Sequence, residues 1–261
     1  MVDIDISVFD DVSVDAHLIR FEGSPRDRRN AFVIGPDGYG GDDAPSVRRE
    51  AVARSGQHGA HEAPGYRDAR VIALSGTIIA ETPDKLQHMR DQLTGILAWG
   101  QAGRMTLHRP TGAVWAKVML ADTPTVKVRG VTQREATFQI QFWAPDPRLY
   151  GEVREYPAGV AATHRGNFPA APELIITGPA PDGYTIAGPG GRQYVVTQPL
   201  AAGQTHRIDM VTGWLYRDEV LQTGAVQQAR TWEVQPGLPG AVHTIAGAVG
   251  SFTVQLTDTF V

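Results

Sequence analysis

Turns interrupt this 261-residue chain so often that much of it has no room for a long regular element. Between Glu173 and Leu256 the strand patterns last only four or five residues. They are Glu173 to Thr177, Tyr184 to Ala187, Gln193 to Thr197, His206 to Met210, Trp214 to Arg217, Thr231 to Val234, Val242 to Ile245 and Phe252 to Leu256. The turn sequences GPAPDG, GPGGR, MVTG, QPGLPG and AGAVG lie between them, and 29 glycines and 18 prolines supply this punctuation along the chain. Short strands punctuated so regularly suggest a β-sandwich or jelly roll.

The first half carries longer patterns. Ile4, Ile6 and Val8 alternate with polar residues, as in a half-buried strand. A second strand is expected through His17 to Phe21. From Gly23 to Tyr66 the chain is polar and glycine-rich, with PRDRRN, GPDGYGGDDAP and SGQHGAHEAPG. That is too long for an ordinary connection and reads as either a functional loop or a partly disordered stretch. Phe32 to Ile34 fits a short strand inside it. SVRREAVARS fits one short helix with a narrow apolar face of Val47, Ala51 and Val52.

RVIALSGTIIAET then reads as a strand in which Gly76 marks a bulge or bend. The main helix follows, over about residues 83–99. Thr82 suits the N-cap, Pro83 the first helical position and Asp84 the positive end of the dipole. Leu86, Met89, Leu93, Ile96 and Leu97 fall on one face, and Gly100 suits a left-handed end. Strands are expected at Met105 to Arg109, Val114 to Leu120, Val126 to Arg129 and Ala136 to Phe142. The last stops at the prolines of APDP. The Gly-, Ala-, Pro- and Arg-rich stretch from Gly151 to Pro172 reads as a junction, which divides the chain into residues 1–150 and 151–261. The fold class expected is mainly β with one main helix.

Composition narrows function. Without cysteine there is no disulfide, thiol nucleophile or thiolate metal site. No apolar run exceeds four residues, whereas a membrane-spanning helix needs about 20. The acidic start MVDIDISVFDD has no apolar stretch, so no secretory signal is expected. A net charge of −4 has the wrong sign for a dedicated nucleic-acid binder.

Each candidate for chemistry has a plainer explanation. His58, His61 and Glu62 match no zinc motif and sit in flexible sequence, so they read as a solvated loop. DGYGGDD at 37–43 lacks the ligand alternation of an EF-hand. Gly188 to Gly191 lacks the Lys of a phosphate loop and reads as a hairpin turn. There is no GxSxG elbow, and the pairs Asp10-Asp11 and Asp218-Glu219 read as solvated turns. Trp214 and Tyr216 share one face of a strand. That face reads first as core, with a sugar-stacking platform as the alternative.

Taken in order, several segments resemble one family. They are RVIALSGTIIAETPDKLQHMRDQLTGILAWGQAG, then FQIQFWAPDPRLYG with Phe142, Asp146, Pro147 and Tyr150, then GNFPAAPELIITG, LAAGQTHRIDMVTGWLY, TWEVQPG and a final strand from Phe252. The chain resembles the distal tail proteins, or minor tail proteins, of long-tailed bacteriophages with non-contractile tails. The resemblance implies a ring-forming N-terminal β-barrel or sandwich-like domain and a C-terminal galectin-like β-sandwich. It implies a virion protein assembled in the host cytoplasm, six copies of which form a ring between the tail tube and the host-recognition apparatus. The partners implied are the tail tube protein, the tape measure and the hub or tip proteins. DNA would pass through the channel without specific binding. On this reading the loop is an arm that contacts a neighbouring subunit through Arg28, Arg29, Tyr39, Arg48, Arg49 and Tyr66. No catalytic residue, metal, cofactor or membrane insertion is expected. The alternative is a carbohydrate-binding module or receptor-binding adaptor that uses Trp214 and Tyr216. Against that alternative, the WGxE-type sugar signature is absent, Trp232-Glu233 being preceded by Thr and followed by Val. A cell-wall hydrolase is the weakest reading, since no acid/base signature is present.

Overall fold

A computed structural model describes residues 5–7, 9–10, 19–23, 29–247 and 250–261. Ile4, Val8, His17, Leu18 and Arg28 lie outside the described residues. The chain forms two compact units, residues 1–149 with Val261 and residues 150–260.

In the first unit the strands are β1 (Asp5–Ser7), β2 (Phe9–Asp10), β3 (Arg20–Glu22), β4 (Ala31–Gly40), β5 (Val47–Arg49), β6 (Gly65–Arg67) and β7 (Arg70–Ile79). Helix α1 (Pro83–Gly95) follows, then β8 (Gly103–Arg109), β9 (Gly112–Leu120), β10 (Thr125–Arg129) and β11 (Glu135–Ala144). The sheet order is β10-β11-β7-β4-β3-β1-β8-β9. β9 returns to β11 through the pairs Phe142↔Leu120 and Trp143↔Met119, so the strands close on themselves as a barrel. Alternation drives this arrangement. Along β11, Ala136, Phe138, Ile140 and Phe142 are buried while Glu135, Gln139 and Trp143 are exposed. Phe21, Phe32 and Phe138 meet inside, with ring centroids 5.6 to 6.2 Å apart.

The helix begins as its capping residues require. Thr82 is extended and its hydroxyl accepts from the Lys85 N–H at 3.1 Å. Leu86, Met89 and Leu93 are buried. It ends at Gly95, short of the expected Trp99. Ile96 leaves helical geometry (ψ 126°) and Leu97 has φ 48°. Both side chains still turn into the core, so the apolar periodicity outlasts the helix itself.

Three further expectations need correction. The strand expected at Phe32 to Ile34 is longer than expected: β4 runs Ala31–Gly40 and pairs with β7, with its register slipping between Ile34 and Tyr39. The SVRREAVARS segment is not helical, because its apolar face is too narrow to bury; Val47 to Arg49 pair instead with Gly65 to Arg67. The expected junction from Gly151 begins as strand, since β12 runs Leu149–Pro157.

Gly76 lies in β7 between Ile34 of β4 and Phe138 of β11. A Cβ there would stand 1.9 Å from the Val33 carbonyl oxygen. The slipped strand therefore approaches β7 more closely than any side chain allows. Gly76→Ala is expected to cost about 1–3 kcal/mol, read as a lower urea midpoint. An unchanged midpoint would contradict the close approach.

In the second unit, β12 is followed by β13 (Ala161–Ala162), β14 (Glu173–Thr177), β15 (Tyr184–Ala187), β16 (Gln193–Val196), β17 (Thr205–Asp209) and β18 (Trp214–Arg217). Then come β19 (Val220–Leu221), β20 (Val226–Ala229), β21 (Ala241–Val242), β22 (Thr244–Ala246) and β23 (Ser251–Phe260). One sheet runs β12-β23-β14-β17-β18-β19 and the other β20-β16-β15-β22. Leu174, Ile176, Ile208, Leu215, Val254 and Leu256 from the first pack with Tyr184, Ile186, Tyr194 and Val196 from the second, together with Trp232. This is a β-sandwich. The strand expected at Thr231 to Val234 is replaced by a single bridge, Ala170↔Val234. The polar VQQA of β20 forms the edge strand instead, a position that needs no apolar alternation.

Candidate functional site

The polar stretch after β4 is anchored at its base by a buried cation. Arg70, the first residue of β7, is only 2% exposed. Its Nε donates to the Pro147 carbonyl at 3.0 Å, and its Nη1 donates to the carbonyls of Gly41 at 2.6 Å and Asp43 at 2.9 Å. The guanidinium thus satisfies the backbone where strand geometry stops. Beside it, Arg109 pairs with Asp42. Burial, and secondly the Asp42 charge, push the Tyr39 hydroxyl up to about 12.

Beyond this base the chain forms a narrow hairpin. β5 and β6 pair, Ala53 bridges Ala60, and the Arg54 N–H donates to the Gly59 carbonyl. At the neck, the Ser46 hydroxyl donates to Asp68 at 2.8 Å and Arg67 donates to the Pro45 carbonyl at 2.8 Å. Residues 46–62 are all exposed. Arg48 sits opposite Tyr66, whose exposure is 63%.

The expected arm residues therefore separate. Arg48, Arg49 and Tyr66 lie together on the exposed hairpin. Tyr39 belongs to the half-buried base. Arg29 lies 3.8 Å from Glu81, just before α1. His58, His61 and Glu62 are exposed on the same hairpin. Among the described residues, no group of three or more His, Asp or Glu side chains is placed to hold a metal. Arg70 was not singled out from the sequence; the only signal is a cation opening an otherwise apolar strand.

The second unit presents a different surface. Leu215 points into the core while Trp214, 53% exposed, and Tyr216 point away from it. The shared face of these aromatics is thus the outer face of the sheet, which corrects the expectation of core. Register aligns Gln255, Glu173, Asp209 and Trp214 in one row across four strands. Thr253, Ile175, Arg207, Tyr216 and Leu221 form the next row. The Arg207 guanidinium lies 4.3 Å from the Tyr216 ring centroid. It donates to Glu219 at 2.7 Å and to Glu173 at 3.3 Å. The Arg207 hydrogen bond holds the Glu219 carboxyl below its usual range.

No protein-family model matches the chain, and no curated protein matches it. Solved structures do share its fold. The crystal structure of SPP1 Dit (gp 19.1), described as a paradigm of the hub adsorption apparatus in phages infecting Gram-positive hosts, superposes with a TM-score of 0.69 at 13% identity. The match covers 87% of this chain and 94% of that one. A chain of the phage P2 baseplate, in its activated conformation with Ca, gives 0.54 at 9% identity over 99% of this chain and 98% of that one. The same baseplate with Sr gives 0.52 at 9% identity, covering 98% of each chain. At these identities the likeness is one of fold: the chain has the mainly-β fold of these phage hub and baseplate proteins.

Proposed function

We propose that this chain is a structural protein of a bacteriophage tail tip, a distal tail protein without catalytic activity. Six copies form a ring between the tail tube and the host-recognition apparatus of a long, non-contractile tail. The tape measure and hub proteins are its further neighbours, and DNA leaves through the central channel. The N-terminal barrel, residues 1–150 as read from the sequence, builds the ring. The C-terminal sandwich, residues 151–261, is galectin-like. The ring is assembled in the host cytoplasm and carried in the virion. The observation that carries this reading is the fold shared with SPP1 Dit along most of both chains, used here as an analogy from fold to role.

The hairpin arm supports assembly independently. A two-stranded hairpin with no apolar face is marginal in water. This one, fully exposed from 46 to 62, gains stability when a partner covers it. Closed rings of identical subunits provide such a partner at every position. The net charge of −4 suits a channel along which phosphates slide without being held. Purified protein is expected to sediment as a hexamer. The triple variant Arg48→Glu, Arg49→Glu, Tyr66→Ala is expected to shift it toward monomer with an unchanged melting temperature. A hexamer indifferent to these changes would remove the arm from the interface.

The exposure of Trp214 favours a second reading, glycan binding by the C-terminal unit.

A further inference from the structure

Two backbone features single out the outer face of the β12-to-β19 sheet. The turn between β18 and β19 is made of Asp218 and Glu219, with φ of 47° and 63°. Consecutive non-glycine residues in the left-handed region carry strain, and hairpins of this length normally use Asn-Gly or Gly-Gly there. The turn is held by backbone contacts from β17: the Thr205 N–H donates to the Asp218 carboxylate at 3.0 Å, and the Asp218 N–H donates to the Thr205 carbonyl at 2.9 Å. The consequence is placement. Glu219 is brought against Arg207, which Glu173 grips from the other side.

The turn between β17 and β18 is equally fixed. Asp209 accepts from the Val211 N–H at 2.7 Å and the Thr212 hydroxyl at 2.8 Å, and Gly213 takes φ 74°. Trp214 therefore starts its strand from a rigid turn, with its indole half in water. Because the Asp209 carboxylate is turned toward its own loop, it does not rise between Trp214 and Glu173. These two stand two strands apart, about 10 Å at the strand spacing of a sheet, roughly the width of two pyranose rings.

We propose that this face binds a neutral, hydroxyl-rich glycan. Trp214 stacks against a sugar ring, and the fixed Glu173–Arg207–Glu219 array hydrogen-bonds the hydroxyls of the next. This inference rests on the glycan-binding reading and assigns its site. Tyr216 is not a second stacking surface, because Arg207 already covers its ring; it supports the guanidinium instead. The charge balance selects the ligand class. Arg207 is matched by two carboxylates, so the array offers no net positive charge to a phosphate or sulfate. Exposed carboxylate oxygens with fixed positions are acceptors suited to hydroxyl pairs. An exposed indole gives an apolar face without attracting an anion.

The test uses the full-length protein and isothermal titration. The probes are the hexasaccharides of cellulose, starch, chitin and mannan, with polyphosphate as the anionic control. At least one neutral oligosaccharide is expected to bind and polyphosphate is not. Trp214→Ala and Glu173→Gln are each expected to weaken that binding about ten-fold or more, while Trp99→Ala, at another exposed tryptophan, leaves it unchanged. Melting temperatures of all three should match the parent, since these side chains lie outside the core. Binding that survives both site variants would overturn this site and leave the glycan reading standing. No binding across the neutral panel would overturn both, as would binding of polyphosphate alone.

Discussion

Trp232→Ala is expected to destabilise the C-terminal unit by about 3–5 kcal/mol, the range for deleting a large buried aromatic. Trp232 is among the largest fully buried side chains of the described residues. Its ring rests directly on the Gly188 backbone, where a Cβ would meet the indole at 2.5 Å. Its Nε1 donates to His243 Nε2 at 2.9 Å. Truncation therefore leaves a cavity and also strands a buried acceptor, a second cost. A domain of this size has only about 5–15 kcal/mol of stability in total, so the variant should lose a large share of its unfolding midpoint in urea. Trp232→Phe should fall between the two, since it fills much of the cavity but still leaves His243 unpaired. Equal midpoints for parent and alanine variant would contradict the packing described for this core.

Acid is expected to weaken the same unit through its buried histidines. His206 is fully buried, and its Nδ1 lies 2.9 Å from the Tyr184 hydroxyl across the sandwich. Burial, aided by the Arg217 charge and opposed by Asp218, lowers its pKa from 6.5 to about 4. Burial lowers His243 too, whose Nε2 is engaged as an acceptor from Trp232. The sign follows from linkage. Between pH 6.5 and about 4 the unfolded chain takes up a proton at His206 that the folded chain refuses. Stability is therefore complete above about pH 7 and falls as pH drops through that window. For His206 alone the gap corresponds to about 3 kcal/mol, and His243 adds in the same direction. Urea midpoints at pH 7.5 and pH 4.5 measure the loss. His206→Gln, which cannot take up the proton, should flatten the dependence. A midpoint that rises on acidification would contradict the neutral, buried imidazole.

Local chemistry was readable in the sequence wherever one residue type meets one local demand. Thr82 and Pro83 announce the helix start because a cap and a missing N–H act within a single turn. The alternation from Ala136 to Phe142 announces β11 because one side of a closed barrel is buried. Reading failed where a distant strand makes the decision. GPDG at 35–38 reads as a turn and does leave the β4–β7 ladder, but Ile34 and Tyr39 on either side of it both pair with β7, so the strand resumes where local sequence gives no sign of it. Trp214 and Tyr216 show the period of a strand, but period alone does not say which face meets the second sheet. Leu215, the less conspicuous residue, takes the core. Arg70 was invisible for a related reason: its partners are carbonyls of Gly41, Asp43 and Pro147, which any residues could supply. Ile96 and Leu97 misled in the opposite sense, since buried side chains past the end of a helix keep its spacing without its backbone.

The same division holds for the candidate sites. Arg48, Arg49 and Tyr66, named on the arm that the resemblance implies, are found together on one hairpin. The Glu173–Arg207–Glu219 array joins residues far apart in sequence and rests on a turn strained at two non-glycine residues.

The central claim, a ring-forming tail-tip protein, is tested most directly by electron microscopy of the purified protein, alone and mixed with tail-tube and hub proteins. The expected result is class averages with six-fold symmetry and an open channel, and a particle mass of roughly 170 kDa for six 28.2-kDa chains. Isolated monomers under both conditions would contradict it.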